Sequence, residues 1–133
     1  MIEGRRLHET QIDGQRVRPV GSFSVEAAPA PEGYAIIALA GELDMAAAPL
    51  VRSHVDSAAG ARGVLLDLSG ATFLDSSMLK ELLRAGAELA RYDTRLVLAG
   101  IPPAVGRLLD LTRTAPLFTI AEDRDAGLRL LED

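Results

Sequence analysis

The stretch VLLDLSGATFLDSSMLKELLRAGAELA, residues 64–90, carries two different periods one after the other. Val64 to Leu68 is an apolar run broken only by Asp67, the pattern of a short strand covered on both faces. Ser69 to Asp75 is rich in small and polar residues and reads as a loop. From Ser76 the spacing changes. Leu79, Leu82, Leu83, Gly86, Leu89 and Ala90 fall at i, i+3, i+4 and i+7, one stripe of an amphipathic helix. Lys80, Glu81, Arg84, Glu88 and Arg91 occupy the other side, where Glu81/Arg84 and Arg84/Glu88 have the spacing of supporting ion pairs on a solvated face. A buried strand feeding a long one-sided helix is the building unit of a parallel sheet with helical crossovers.

The flanks repeat that unit. On the carboxyl side, Arg95 to Gly100 is a strand stopped by Ile101-Pro102-Pro103. A short helix follows with Val105, Leu108, Leu109 and Thr112 on one side, then a last strand from Leu117 to Ile120 and a closing helix from Asp125 to Leu131. On the amino side, Ala46 to Ala59 is a helix with Pro49 in its first turn, where a missing N–H costs nothing, and Gly60 and Gly63 close it. Tyr34 to Ala40 is a further apolar strand, turned by Gly41-Glu42-Leu43-Asp44. Phe23, Val25 and Ala27 alternate with polar neighbours, and Pro29, Pro31 and Gly33 join these two strands as a hairpin. The expected order is β-β-α-β-α-β-α-β-α, an α/β fold with a mixed, mostly parallel β-sheet and helices packed on it.

Residues 1–21 have a different texture: four arginines against three acids and no apolar period, whereas residues 22–133 carry ten basic and sixteen acidic groups. The first segment is expected to be a mobile arm, or an added strand at most, and residues 22–133 the folded domain. Ile2-Glu3-Gly4-Arg5 matches a factor Xa cleavage sequence, whether carried from cloning or coincidental.

With 133 residues, 48% hydrophobic and 25% charged, the chain holds one core and no second domain. The absence of cysteine excludes disulfides, thiolate metal sites and a thiol nucleophile, and two histidines, His8 and His54, leave little for a triad or a metal centre. His54 lies at the edge of an apolar stripe, where packing outweighs catalysis. A net charge of −5 argues against direct nucleic-acid binding. No apolar run is long enough for a membrane helix and the amino terminus lacks a signal peptide's apolar stretch, so the expectation is a cytoplasmic protein without membrane or cofactor.

In a parallel sheet the carboxyl ends of the strands share one edge, where ligands and partners meet. Asp75, Ser76 and Ser77 open the long helix on that edge. Free N–H groups and the helix dipole there favour an anion, and Ser76 or Ser77 is suited to cap the helix. Capping alone accounts for this triplet on spacing. Enzyme readings have no motif behind them: there is no Walker sequence, no Gly-x-Gly-x-x-Gly and no Gly-x-Ser-x-Gly elbow. Asp44 and Asp75 as paired carboxylates lack a nucleophile or metal. Asp67, inside a strand, is suited to bonding nearby backbone. A phospho-aspartate receiver would want an acidic pair after its first parallel strand and a lysine after a later one, yet Lys80 lies within a helix.

Three blocks carry a resemblance: Gly41-Glu42-Leu43-Asp44; Leu66-Asp67-Leu68-Ser69-Gly70-Ala71-Thr72-Phe73-Leu74-Asp75-Ser76-Ser77; and Pro103-Ala104-Val105-Gly106-Arg107-Leu108-Leu109. Together, in order from Phe23 to Leu131, they resemble the STAS domain of bacterial anti-sigma-factor antagonists. The resemblance implies a non-enzymatic switch. The unphosphorylated form binds an anti-sigma factor that is a serine-protein kinase, sigma factor is released, and a stress response or similar programme follows. The kinase phosphorylates the first serine of the Asp-Ser-Ser block, here Ser76, and a phosphatase resets it. The implied partner surface holds Asp44, Thr72, Asp75, Ser76, Ser77, Met78 and Arg84. The other STAS reading is a scaffold subunit of a stress-sensing or lipid-transport assembly with no phosphoswitch. Two positions depart from the family pattern. Met78 replaces the usual Gly and places a long side chain beside Ser76, to shield the hydroxyl or to touch the partner. Arg113-Thr114 stands where a Gly-containing turn is usual.

Overall fold

Apolar runs cannot leave their backbone groups unpaired in a core, so they assemble side by side. In the computed structural model, which describes residues 10–12, 15–17 and 22–133, five of them form one sheet. These are β3 (Phe23–Ala28), β4 (Tyr34–Leu43), β5 (Gly63–Leu74), β6 (Arg95–Ala99) and β7 (Thr119–Ala121), in that spatial order. The β3/β4 pair is antiparallel and the other three pairs are parallel. Four helices connect or close the strands: α1 (Ala48–Ser57), α2 (Ser76–Ala90), α3 (Pro103–Leu111) and α4 (Arg124–Glu132). The chain is thus an α/β domain with a mixed, mostly parallel sheet. Two three-residue strands, β1 (Thr10–Ile12) and β2 (Gln15–Val17), pair antiparallel in a separate small sheet. The rest of the expected arm over residues 1–21, His8 included, lies outside the described residues.

Alternation along the strands decides which helix covers which face. Ile37, Leu39, Val64, Leu66, Leu68 and Leu98 point to one side, against Val51 and Val55 of α1, Met78, Leu82 and Leu89 of α2, and Val105 and Leu109 of α3. Ile36, Leu65, Val97, Ala99 and Ala121 point to the other side, where Leu131 of α4 meets them. Each fully buried leucine in these clusters contributes about 2 kcal/mol relative to an exposed one.

Several boundaries differ from expectation; α1, for one, spans Ala48–Ser57 rather than Ala46 to Ala59, because Ala46 and Ala47 belong to the turn that Asp44 makes. The segment Ser69 to Leu74 is strand rather than loop, because β4 also runs on to Leu43 and supplies partners: Ala40↔Gly70, Gly41↔Ala71, Glu42↔Phe73 and Leu43↔Leu74. Register shifts at Ala38/Ala40 and Gly41/Glu42 each insert one extra residue into β5, the local kink of a β-bulge. The last strand begins at Thr119, since Ala115–Leu117, with Pro116, forms a 3-10 turn that leaves Leu117 exposed. Thr112 does not pack with Val105 and Leu109. It ends α3 in an exposed position, its hydroxyl donating to the Leu108 carbonyl at 2.7 Å. The next residue, Arg113, has φ of 59°, with its N–H on the Asp110 carbonyl at 3.1 Å and the Thr114 N–H on Leu109 at 2.9 Å. A left-handed helix stop favours glycine, and a side chain there costs about 1–2 kcal/mol.

α4 is tied to the sheet by a charge pair. Asp67 is 8% exposed and accepts from the Arg124 Nε at 2.6 Å and from the Ser69 N–H at 2.9 Å. Burial raises the Asp67 pKa, but the Ser69 N–H and the Arg124 guanidinium together outweigh it and hold the carboxyl below its usual value. A depressed pKa means stability that is present above the unfolded carboxylate range, near pH 4, and lost as pH falls through the folded value. Arg124→Met is therefore expected to cost about 1 kcal/mol at pH 7, the figure for a charged hydrogen bond discounted for the exposed guanidinium. Urea unfolding of both proteins should show that gap narrowing from pH 5 to pH 3. A gap that stays constant would mean the pair adds nothing.

Candidate functional site

The ends of β4 and β5 bring the first two motifs together. Leu43 pairs with Leu74, and the Asp75 N–H donates to the Leu43 carbonyl at 3.2 Å, so Asp44 and Asp75 leave the sheet from neighbouring strands. Each acid then shapes its own turn. Asp44 accepts the Ala46 N–H on Oδ1 at 2.9 Å and the Ala47 N–H on its carbonyl at 2.9 Å, which turns the chain into α1. Asp75 has extended backbone and accepts the Met78 N–H on Oδ1 at 2.9 Å, so it is the N-cap of α2.

This assignment corrects the expectation that a serine caps the helix. Ser76 and Ser77 are its first two residues, and neither hydroxyl hydrogen-bonds to a described residue. Ser76 is exposed and Ser77 half-buried. The N–H groups of both stand in the first turn, where a helix has no internal acceptor to offer them. The result is a free hydroxyl beside open amide donors at the positive end of a 15-residue helix. Asp75 is engaged by its cap bond, and His54 is not a hydrogen-bonding partner of this turn, since its Nδ1 contacts the Leu50 carbonyl. Among the described residues no base is hydrogen-bonded to the Ser76 hydroxyl.

Met78 belongs to neither role expected of it. Its side chain is fully buried with Leu82, Ala85 and Leu89 on the inward face of α2, so it neither covers the Ser76 hydroxyl nor reaches a partner. Its position is the first inward one of the helix, and an apolar residue there extends the stripe by one turn.

Glu81 is also displaced from its expected place on the solvated face. It is 3% exposed, accepting from the Arg52 Nη2 of α1 at 2.8 Å and from the Arg84 Nε at 2.7 Å. Arg84 Nη2 lies 3.5 Å from Asp56. Arg52 thus clasps α1 to α2 through Glu81, which Arg84 holds in place from within α2, and Glu88 pairs with Arg91 instead. Reversing the charge at Arg84 would disturb that clasp before it disturbed any partner. Thr72 is exposed on β5, short of the site.

Two apolar residues near this edge were not among the expected contacts. Met45, directly after Asp44, is 70% exposed, and Phe73, two residues before Asp75, is 48% exposed. Met45 and Ser77 line one open groove of about 800 Å³ with Pro49 and Arg52 of α1. The sequence signal was Met45 itself, an apolar residue in a turn with no periodic partner.

The chain matches the STAS domain family over residues 27–127, and it belongs to that family. Among solved structures it is similar to an anti-sigma factor antagonist from Mycobacterium paratuberculosis, at 24% identity and a TM-score of 0.74, covering 84% of this chain and 96% of the other. It is similar to the Bacillus cell fate determinant SpoIIAA in its phosphorylated form, at 23% identity and a TM-score of 0.64, covering 80% and 99%. It also resembles a sulfate transporter family protein from Wolinella succinogenes, at 15% identity and a TM-score of 0.70, covering 79% and 89%. At these identities the likeness is one of fold. Among the described residues no helix is long and apolar enough to cross a membrane.

Proposed function

We propose that this chain is a cytoplasmic anti-sigma-factor antagonist that acts by binding, with Ser76 as its phosphorylation switch. The observation that carries the reading is the free, exposed Ser76 hydroxyl at the first position of α2, left open because Asp75 caps the helix. A kinase needs a serine it can approach without unfolding its substrate, and this one projects from a rigid helix. A phosphoryl group there gains the open amide donors and adds roughly 1.5 to 2 negative charges without a change of fold. The partner is an anti-sigma factor that is itself a serine-protein kinase, docking over Asp44, Asp75, Ser76 and Ser77, with Thr72 at the margin and Met45 as an apolar contact. A phosphatase returns the protein to its binding form.

The likeness to a sulfate transporter family protein favours a second reading, a STAS module of another assembly with no phosphoswitch. Incubation with a candidate anti-sigma kinase and ATP, followed by intact mass and fragment mapping, separates the two. One phosphate on Ser76 is the expected result. An unmodified chain, or phosphate only on Ser77, would overturn the switch.

A further inference from the structure

Ser76 and Lys80 are four residues apart on α2, one turn along the same exposed face. Lys80 is the chain's single lysine, among thirteen arginines. The arginine side chains of α1 and α2, with Arg91 at the end of α2, are in ion pairs. Arg52 and Arg84 are held by Glu81 at 2.8 and 2.7 Å, and Arg91, at the far end of α2, lies 3.3 Å from Glu88. Lys80 makes no ion pair or hydrogen bond with a described residue.

We infer that Lys80 is the counter-ion of a phosphate on Ser76, drawing it along the exposed face of α2 and holding it as the dianion; this rests on Ser76 being the phosphorylated residue. An anionic residue followed by lysine at i+4 is the favoured order of such a pair on a helix. A long flexible stem lets the ammonium reach the phosphate oxygens while its own backbone stays in the helix. The carboxylates on this edge act against ionisation: Asp75, one residue before, and Asp44, from the adjoining strand end, both disfavour a second negative charge. Their influence is common to every variant at position 80, so a change at Lys80 isolates its own part. The consequence is a phosphate laid over the surface that the partner would cover, doubly charged at neutral pH.

The test installs phosphoserine at position 76 by genetic encoding, in the full chain with Lys80, Lys80→Met or Lys80→Arg, and follows the second ionisation by phosphorus NMR. The unperturbed midpoint is near pH 6. With Lys80 it should lie about 0.3 pH unit below that of Lys80→Met, as expected for one i,i+4 pair, and added salt should shrink the difference. Lys80→Arg should restore the low midpoint. Unfolding midpoints of the unphosphorylated chains should coincide, because Lys80 is exposed and has no partner among the described residues. Equal midpoints in the Lys80 and Lys80→Met phosphoproteins, or a higher one with Lys80, would overturn the inference. Because the phosphate is encoded, the titration answers independently of any kinase, and mapping the kinase product tests Ser76 by itself.

Discussion

On the proposed function, Ser76→Asp should bind an anti-sigma factor at least a hundredfold more weakly than Ser76→Ala, while both fold as stably as the parent chain. The stability half follows from the geometry. The Ser76 hydroxyl is exposed and makes no hydrogen bond to a described residue, so removing it costs no more than about 0.5 kcal/mol, the range of ordinary surface changes. An aspartate at the first helical position interacts favourably with the helix dipole, by about 0.3 to 1 kcal/mol. The binding half follows from desolvation. A new carboxylate beside Asp75, pressed against a partner shaped for a neutral hydroxyl, is left unpaired and partly dry, and a loss of about 2.7 kcal/mol corresponds to a hundredfold. Ser77→Ala should be close to neutral in stability, since Asp75 rather than Ser77 is the cap, whereas Asp75→Ala should cost about 1 kcal/mol. Titration calorimetry with the purified anti-sigma factor, beside urea unfolding of each variant, reads both halves. Equal affinity for Ser76→Ala and Ser76→Asp would defeat the switch, and weak binding by Ser76→Ala would mean that the hydroxyl itself is part of the contact.

What the sequence disclosed about this fold depended on the range of the interactions involved. The α2 stripe, the apolar run of β5 and the proline-marked start of α1 are local signals, and each element lies where its period put it. The extension of β5 through Leu74 was hidden because Ser69, Gly70 and Ala71 have the composition of a loop. Only the pairing with the far end of β4 makes them strand. Glu81 shows the same limit for a side chain. Its i, i+3 partner Arg84 was legible, but its burial comes from Arg52, 29 residues earlier, once α1 packs on α2. At the site, the Asp-Ser-Ser block announced a helix start, yet which of three capping residues takes the role depends on backbone angles. Asp75 is the extended one and accepts the Met78 N–H. Met78 stands beside Ser76 in sequence, but its spacing to Leu82, Ala85 and Leu89 places it on the inward face of α2, and that face decides its role.

Gly41→Ala is expected to be among the most damaging single changes in the chain, at about 3 kcal/mol, combining the left-handed backbone penalty of about 1–2 kcal/mol with a lost hydrogen bond. Gly41 has φ of 85°, and a Cβ there would stand 2.3 Å from the Ser22 carbonyl oxygen and 2.9 Å from the Phe23 Cα. Both are backbone atoms at the start of the edge strand, the first in the residue just before it, and backbone cannot swing aside as a side chain can. Relief requires β3 to move away, and that movement breaks the bond from the Glu42 N–H to the same Ser22 carbonyl, now 2.9 Å long. Gly60 supplies the control, because its φ of 91° is as strained but a Cβ there meets nothing within 4 Å. Gly60→Ala should lose only the backbone penalty, about 1 kcal/mol. The difference between the two variants in denaturant unfolding therefore isolates the contact with β3. Equal losses would show that backbone strain alone explains the glycine. The outcome bears on the site as well as the fold. Gly41 begins the Gly-Glu-Leu-Asp block, and β4 at this point sets where Leu43 receives the Asp75 N–H. If β3 and β4 separate there, the alignment of Asp44 with the start of α2 should loosen with them, and the Gly41→Ala chain should bind the anti-sigma factor more weakly even where it remains folded.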